Sequence, residues 1–325
     1  MALSTDIQIV DFSLEFIPVE TRVPLKFGTE VLSSVTCARV SVLVENNLGE
    51  KVEGWGETPL SVQWVWPSEI AYALRHDSLI EFCKLLAKRW RGFDRVGHCL
   101  EIGHAMIMDD LPLALKEFNS SKYDNSEQMP WLAALVCASA FDLAVHDAYG
   151  VMNQVPTYQA YGKEFLSSDL SSFLEPADNS GIKFESKYPA DFLILNPSAK
   201  IPVWHLVGGL DPLEVGDLNG DEPDDGYPVH LREWIARDGL KCLKIKLRGN
   251  DQDWDYQRLL KIGKISEEMD VDHLTTDFNC TVTDPDYVNE ILDKLEDESP
   301  GTHKRILYVE QPFPYDLENN RIDVH

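Results

Sequence analysis

Cys242-Leu243-Lys244-Ile245-Lys246-Leu247-Arg248-Gly249 is an apolar run of strand type that carries two lysines two positions apart. Successive side chains of a strand point to opposite faces, so Lys244 and Lys246 share one face while Leu243, Ile245 and Leu247 share the other. Taken alone, this is an ordinary half-buried strand whose lysine face meets solvent. Two later stretches give it another meaning. His273-Leu274-Thr275-Thr276-Asp277-Phe278-Asn279 and Arg305-Ile306-Leu307-Tyr308-Val309-Glu310-Gln311-Pro312 are also short apolar or β-branched runs, each with a carboxylate near its end. Asp277 follows Lys246 by 31 residues and Glu310 follows Asp277 by 33, about the length of one strand plus one crossover helix. Both gaps carry helical patterns. Over 251–269, Trp254, Leu259, Leu260, Ile262 and Ile265 recur on a helical period, and Asp284-Pro285 has the form of an N-cap followed by proline at the first helical position. Three successive βα units therefore each place a polar group at the strand's carboxyl end. In a barrel of parallel strands the βα loops converge there to build the active site.

The triplets Lys244-Ile245-Lys246, Asp277-Phe278-Asn279 and Glu310-Gln311-Pro312 resemble, in order and spacing, the enolase superfamily, in particular its mandelate racemase and muconate lactonizing branch. That branch carries Lys-x-Lys, Asp-x-Asn and Glu-Gln-Pro on its second, third and fourth barrel strands. Two earlier stretches are similar to the same family. Trp55-Gly56-Glu57-Thr58-Pro59 matches a Gly-Glu step that ends a meander, and Asp142-Leu143-Ala144-Val145-His146-Asp147-Ala148-Tyr149-Gly150, followed by Val155-Pro156, matches an Asp-x-Ala-x-x-Asp-x-x-Gly helix and its Val-Pro step. The resemblance implies an α+β N-terminal capping domain over 1–160 and a TIM-type (β/α) barrel over 201–325. Between them, 161–200 departs from the family; rich in Ser, Asp, Asn and Pro, it is expected to be an insertion or linker. Only four barrel strands can be counted where the family has eight, so the barrel is expected to continue beyond the chain end. A third carboxylate ligand and an opposite-face acid/base are expected there too.

The implied reaction is abstraction of a proton α to a carboxylate by way of an enediolate, as in racemases, epimerases, cycloisomerases and dehydratases. The implied cofactor is Mg²⁺, or Mn²⁺ in its place. Mg²⁺ takes oxygen ligands, which makes Asp277 and Glu310 the expected metal ligands and a small carboxylate the expected substrate. Lys246 is the expected base, and Lys244 beside it supplies the cation that lowers the base's pKa. Asn279, on the face of Asp277, is expected to orient a metal ligand or a substrate oxygen. Arg22 and Lys26, with Gly28, lie in an expected loop over 18–34 that would help choose the substrate, and Trp55 stands where a second such loop begins. Asp142 and Asp147 are expected to be structural, His146 a packed or surface histidine rather than a ligand, and Arg248 as readily a surface charge as a member of the site.

Two other functions would use the same residues: a Schiff-base barrel aldolase acting through Lys246, and a non-catalytic binding or scaffold protein that keeps the fold. Hydrophobic content of 44% suits a globular chain, whereas a net charge of −26 argues against nucleic acid or an anionic membrane as partner. A local lysine pair and a metal can still hold a small anion against that field. The six cysteines are scattered, without a Cys-x-x-Cys pair, which points to reduced thiols and a cytoplasmic setting. The most apolar run, 131–145, is interrupted by Asp142 and is shorter than the ~20 residues of a spanning helix. Strands are expected over 7–16, 37–45, 51–57 and 201–207, and helices over 68–90, 97–118, 130–149 and 230–238. The acidic stretch 211–225, which has no lysine or arginine, is expected to be a solvated loop. Trp64 and Trp66 are expected to pack one face against core, and assembly as a homo-oligomer is left open.

Overall fold

A computed structural model describes residues 3–27, 30–122, 127–194, 196–315 and 320–322. The chain divides into two compact units, Met1–Val19 with Ser34–Pro197 and Glu20–Ser33 with Ser198–His325.

Strands β1 (Ile7–Phe27), β2 (Glu30–Asn46), β3 (Lys51–Pro59) and β4 (Val96–Gly97) form a sheet in the order β3-β2-β1-β4, and the first unit is built on it up to Val19 of β1 and from Ser34 of β2. Strict alternation in β2 buries Val40, Val42 and Val44 completely. The β2–β3 turn is chemically specified: Asn46 Oδ1 accepts from the Leu48 and Glu50 amides, and Gly49 adopts φ 81°. Helices follow as α1 (Val62–Val65), α2 (Tyr72–Arg91), α3 (Cys99–Ala105), a π-helical turn (Met106–Asp110), α4 (Leu111–Lys122) and α5 (Trp131–Asn153). α5 is long and apolar enough to cross a membrane, but half of its most apolar window is buried inside the fold, as in a core helix. It lies hard against β3. A Cβ on Gly54 would stand 2.2 Å from the Ala148 nitrogen, and one on Gly56 would stand 2.2 Å from the Ala140 oxygen. Two glycines on the strand and an alanine stripe on the helix therefore set the approach.

Several sequence expectations need correction here. The segment 18–34 is not a loop, because β1 and β2 run through its described residues as strands; Gly28 lies outside the described residues. Among those residues β1 pairs with β4 only at Ile7 and Gln8. Val19, Thr21 and Val23 favour extension on either side of Pro18 and Pro24. The helix expected over 97–118 is divided by the π turn, and β4 was not anticipated. Trp64 and Trp66 do not share a face: Trp66 is buried, whereas Trp64, on the single turn of α1, is 58% exposed.

The second unit alternates strand and helix: β5 (Trp204–Val207), α6 (Leu231–Asp238), β6 (Cys242–Lys246), α7 (Gln252–Glu268), β7 (His273–Asp277), α8 (Pro285–Glu298), α9 (Pro300–Arg305) and β8 (Ile306–Glu310). The strands form a parallel sheet in the order β5-β6-β7-β8. Local chemistry sets the helix starts. Asp251 Oδ1 accepts from the Trp254 amide ahead of α7, and Asp284 Oδ1 accepts from the Asp286 amide ahead of α8, which has Pro285 at its first position. Leu243, Ile245 and Leu274 pack with Leu259, Ile262, Ile291 and Leu295 into one core. α9 is an element that the sequence reading missed. The acidic stretch is not simply solvated, since Asp217 pairs with Lys261 and Asp225 with Arg22. The region 161–197 groups with the first unit and holds short 3₁₀ turns at Leu170–Ser172 and Pro189–Phe192.

Candidate active site

Parallel register brings the separated motifs into one row. Lys246 pairs in register with Asp277, and Asp277 with Glu310, at the carboxyl ends of β6, β7 and β8. Side chains in register on adjacent parallel strands face the same way, so Lys244, one pleat earlier on β6, joins them. Lys246 Nζ donates to Asp277 Oδ2 at 2.5 Å and to Asn279 Oδ1 at 2.7 Å. Lys244 Nζ donates to Glu310 Oε1 at 2.6 Å and lies 3.1 Å from Asp277 Oδ2. Five residues named from the sequence, Lys244, Lys246, Asp277, Asn279 and Glu310, are thereby brought together.

Burial is graded across the group. The Asp277 side chain is 1% exposed, Lys246 15%, Lys244 27% and Glu310 28%. A carboxylate as buried as Asp277 is tolerable only when paired and hydrogen-bonded. It has both ammonium groups on Oδ2, while Oδ1 accepts from the Asn279 amide at 2.8 Å. Asn279 can reach back because it sits at φ 54°, a left-handed conformation that asparagine tolerates better than most residues. Its Nδ2 also donates to the carbonyls of Asp277 and Leu247. For Lys244, burial pulls the pKa down, but the carboxylates of Glu310 and Asp277 outweigh it and hold the group above the ordinary lysine value.

Asp277 Oδ2 and Glu310 Oε1 converge on a single cationic atom, Lys244 Nζ. Such an oxygen pair fits a hard divalent metal, which Mg²⁺ sites commonly bind through one or two carboxylates with water and substrate completing the shell. Among the described residues, three or more metal-ligating side chains do not gather at one place. The fit is therefore that of two ligands.

The remaining predicted residues are placed elsewhere. Arg22 makes a bidentate pair with Asp225, at 2.6 and 2.8 Å, and donates to the Pro228 and Tyr227 carbonyls. It lines a cavity of about 620 Å³ with Val23, His205, Leu210 and Trp234, and none of the five clustered residues lines it. Lys26 is part-buried near the end of β1. Trp55 belongs to the first unit, is 50% exposed, and donates its amide to Asp147 Oδ2 at 2.9 Å. His146 is packed, with Nδ1 against the Asp142 carbonyl at 2.9 Å. Arg248 is more than a surface charge, since its guanidinium lies 4.0 Å from the Trp254 ring centre.

Asp255 is the residue that sequence reasoning missed. Fully buried, it accepts from the Arg248 and Gly249 amides at 2.8 Å each and from the Tyr287 hydroxyl at 2.7 Å. It therefore fixes the turn that follows Lys246. In Asp251-Gln252-Asp253-Trp254-Asp255 it reads only as another acid in a helix's first turn; its place on the apolar side of α7, one residue before buried Tyr256, was the available signal.

By sequence, no family model and no curated protein matches this chain. Solved structures do. An enolase from Bradyrhizobium, complexed with magnesium and mandelic acid, matches at 15% identity and TM-score 0.55, over 98% of this chain and 66% of its own. A dipeptide epimerase from Methylococcus capsulatus, complexed with Mg and the dipeptide L-Arg-D-Lys, matches at 17% identity and TM-score 0.51, over 94% and 62%. An N-succinyl Arg/Lys racemase from Bacillus cereus matches at 15% identity and TM-score 0.55, over 96% and 62%. The chain thus spans less than two thirds of the length of the structures it matches. At these identities the likeness is one of fold, and over the part that it spans this chain has the fold of the matched enolase, dipeptide epimerase and racemase structures.

Proposed function

We propose that this protein removes the proton α to the carboxylate of a small substrate, with Lys246 as the base and Asp277 and Glu310 as ligands of a divalent cation, Mg²⁺ or Mn²⁺. The net reaction would be that of a racemase or epimerase, a cycloisomerase or a dehydratase. One observation carries this reading: Lys246, Asp277 and Glu310, from strands about one βα unit apart in sequence, meet in one register row at the carboxyl end of a parallel sheet, with Lys244 one pleat earlier on the same face and in reach of both carboxylates. Bound there, the cation would act as a Lewis acid on the substrate carboxylate. Asn279 holds the Lys246 amine by its Oδ1 and the Asp277 carboxylate by its backbone amide, so it keeps base and ligand in fixed relation. Before the cation binds, Lys244 supplies the positive charge that Asp277 and Glu310 share. The cytoplasm is the proposed setting.

The matched structures hold mandelic acid and a dipeptide, which makes mandelate and short dipeptides the first panel to try. In deuterated buffer with Mg²⁺, proton NMR should show loss of the α-hydrogen signal of at least one of them, and Lys246→Ala should stop that loss. Exchange at the wild-type rate in Lys246→Ala would remove this lysine as the base. Borohydride trapping with the same panel separates proton abstraction from a Schiff-base reaction, because only the latter leaves a covalent adduct on lysine.

A further inference from the structure

We propose that Lys244 is the built-in competitor for the divalent cation, its ammonium paired with both of the carboxylates, Asp277 and Glu310, that would hold that cation. The inference rests on the metal site proposed above and adds its regulation by a residue of the same chain.

The two lysines are not equivalent. Lys246 Nζ reaches one carboxylate, Asp277, and finds its second partner in the neutral Asn279. Lys244 Nζ alone spans both, at 2.6 Å from Glu310 Oε1 and 3.1 Å from Asp277 Oδ2. These distances come from two different strands, so the ammonium links β7 to β8 as a bridging cation would. A metal that binds both oxygens must expel Lys244 Nζ, since two cations cannot share one oxygen pair at contact distance. Lys246 need not leave the site, because Asn279 Oδ1 can retain it. Lys244 is also more exposed than Lys246, 27% against 15%, so its side chain has solvent to swing into and its charge is not stranded.

The competition has a definite sign. If Lys244 were only a substrate-binding group, its removal would leave metal affinity alone. As the occupant of the metal's position, its removal should tighten metal binding, because the metal no longer displaces an intramolecular ion pair. Two part-buried pairs given up in exchange correspond to about a tenfold change in Kd. Lys246→Met should tighten binding less, by about threefold.

Mn²⁺ serves as the probe, with the free-ion electron paramagnetic resonance signal read as the full chain is titrated. Lys244→Met and Lys244→Gln are both made, the second keeping a donor toward Glu310 should the first not fold, and Lys244→Arg preserves the charge. Tighter Mn²⁺ binding in Lys244→Met or Lys244→Gln, absent in Lys244→Arg, is the expected result. Binding that is unchanged or weaker in both neutral variants, while the wild type binds, overturns the competitor role and leaves the proposed reaction standing. Equal tightening in Lys246→Met overturns the assignment to Lys244. Failure of Mn²⁺ to bind the wild type and every variant removes the metal site and with it both proposals.

Discussion

Asp277→Asn removes one negative charge from a nearly dry position and leaves two ammonium groups beside it. Asp277 is 1% exposed and touches Lys246 Nζ at 2.5 Å, Lys244 Nζ at 3.1 Å and the Asn279 amide at 2.8 Å. Breaking a fully buried pair costs about 3–5 kcal/mol. Here the cost is smaller, because Lys246 keeps Asn279, Lys244 keeps Glu310, and both lysines retain some water. We expect a loss of about 2–3 kcal/mol, equivalent to about a thirtyfold to hundredfold fall in amide protection in β6 and β7. Native-state hydrogen exchange with mass spectrometry is the assay, since it reads the second unit alone, whereas denaturant unfolding of a two-unit chain mixes transitions. The double variant Asp277→Asn/Lys246→Met removes one of the uncompensated ammonium groups and should regain about 1 kcal/mol or more. If the single variant stays within about 0.5 kcal/mol of wild type, or the double variant is no better than the single, charge compensation does not hold these strand ends together.

His98 should make the first unit acid-sensitive. The ring is fully buried, its Nδ1 accepts from the Leu100 amide and its Nε2 donates to the Ala160 carbonyl, so it is neutral, and burial lowers its pKa from 6.5 to about 4. The unfolded chain takes up this proton first as pH falls, so the stabilisation is complete above about 6.5 and is lost toward about 4, by up to about 3 kcal/mol; the His98→Gln variant should lack that step in a pH series of exchange measurements on α3. Gly56→Ala would drive a methyl against the Ala140 carbonyl at 2.2 Å, and overpacking of this kind costs about 1–3 kcal/mol; an unchanged exchange pattern in α5 would show that helix and strand can part freely. Asp255→Asn keeps one acceptor oxygen for three donors, so the amides of Arg248 and Gly249 should exchange about five- to a hundredfold faster, the equivalent of ~1–3 kcal/mol.

The barrel-like sheet was legible because its signals are local and repeated. Each strand is an apolar run, α7 and α8 each open on an aspartate cap, and the spacing of Lys246, Asp277 and Glu310 is about that of one βα unit. Boundaries were less legible, because they depend on partners far along the chain. β1 continues to Phe27 through two prolines, which local propensity reads as a break. Arg22 could be marked as a candidate from its position, yet its bidentate pair with Asp225 lies 203 residues away in sequence and no periodicity announces it. Asp255 was hidden for a related reason. A carboxylate in a helix's first turn is ordinarily explained by the helix dipole, and only the folded turn after β6 shows that it faces inward.

The choice between a solvated lysine face and a built site turns on what the neighbouring strands present. A solvated face requires only that β6 be a strand, and it sets no condition on the residues 31 and 64 positions beyond Lys246. In the folded chain those positions hold carboxylates in the same register row, one of them excluded from water, and each lysine is bonded to at least one of them. A buried aspartate between two lysines gives up hydration that an apolar residue would not need, and such groups are weak evidence for stability in themselves. Thr275, one pleat earlier on β7, shows that the same face can be filled by a small neutral side chain. That β7 ends instead in a charge satisfied by two cations and a left-handed asparagine is what the proposed site requires, since the turn from Asp277 to Asn279 would hold the proposed base and the proposed ligand in one relation.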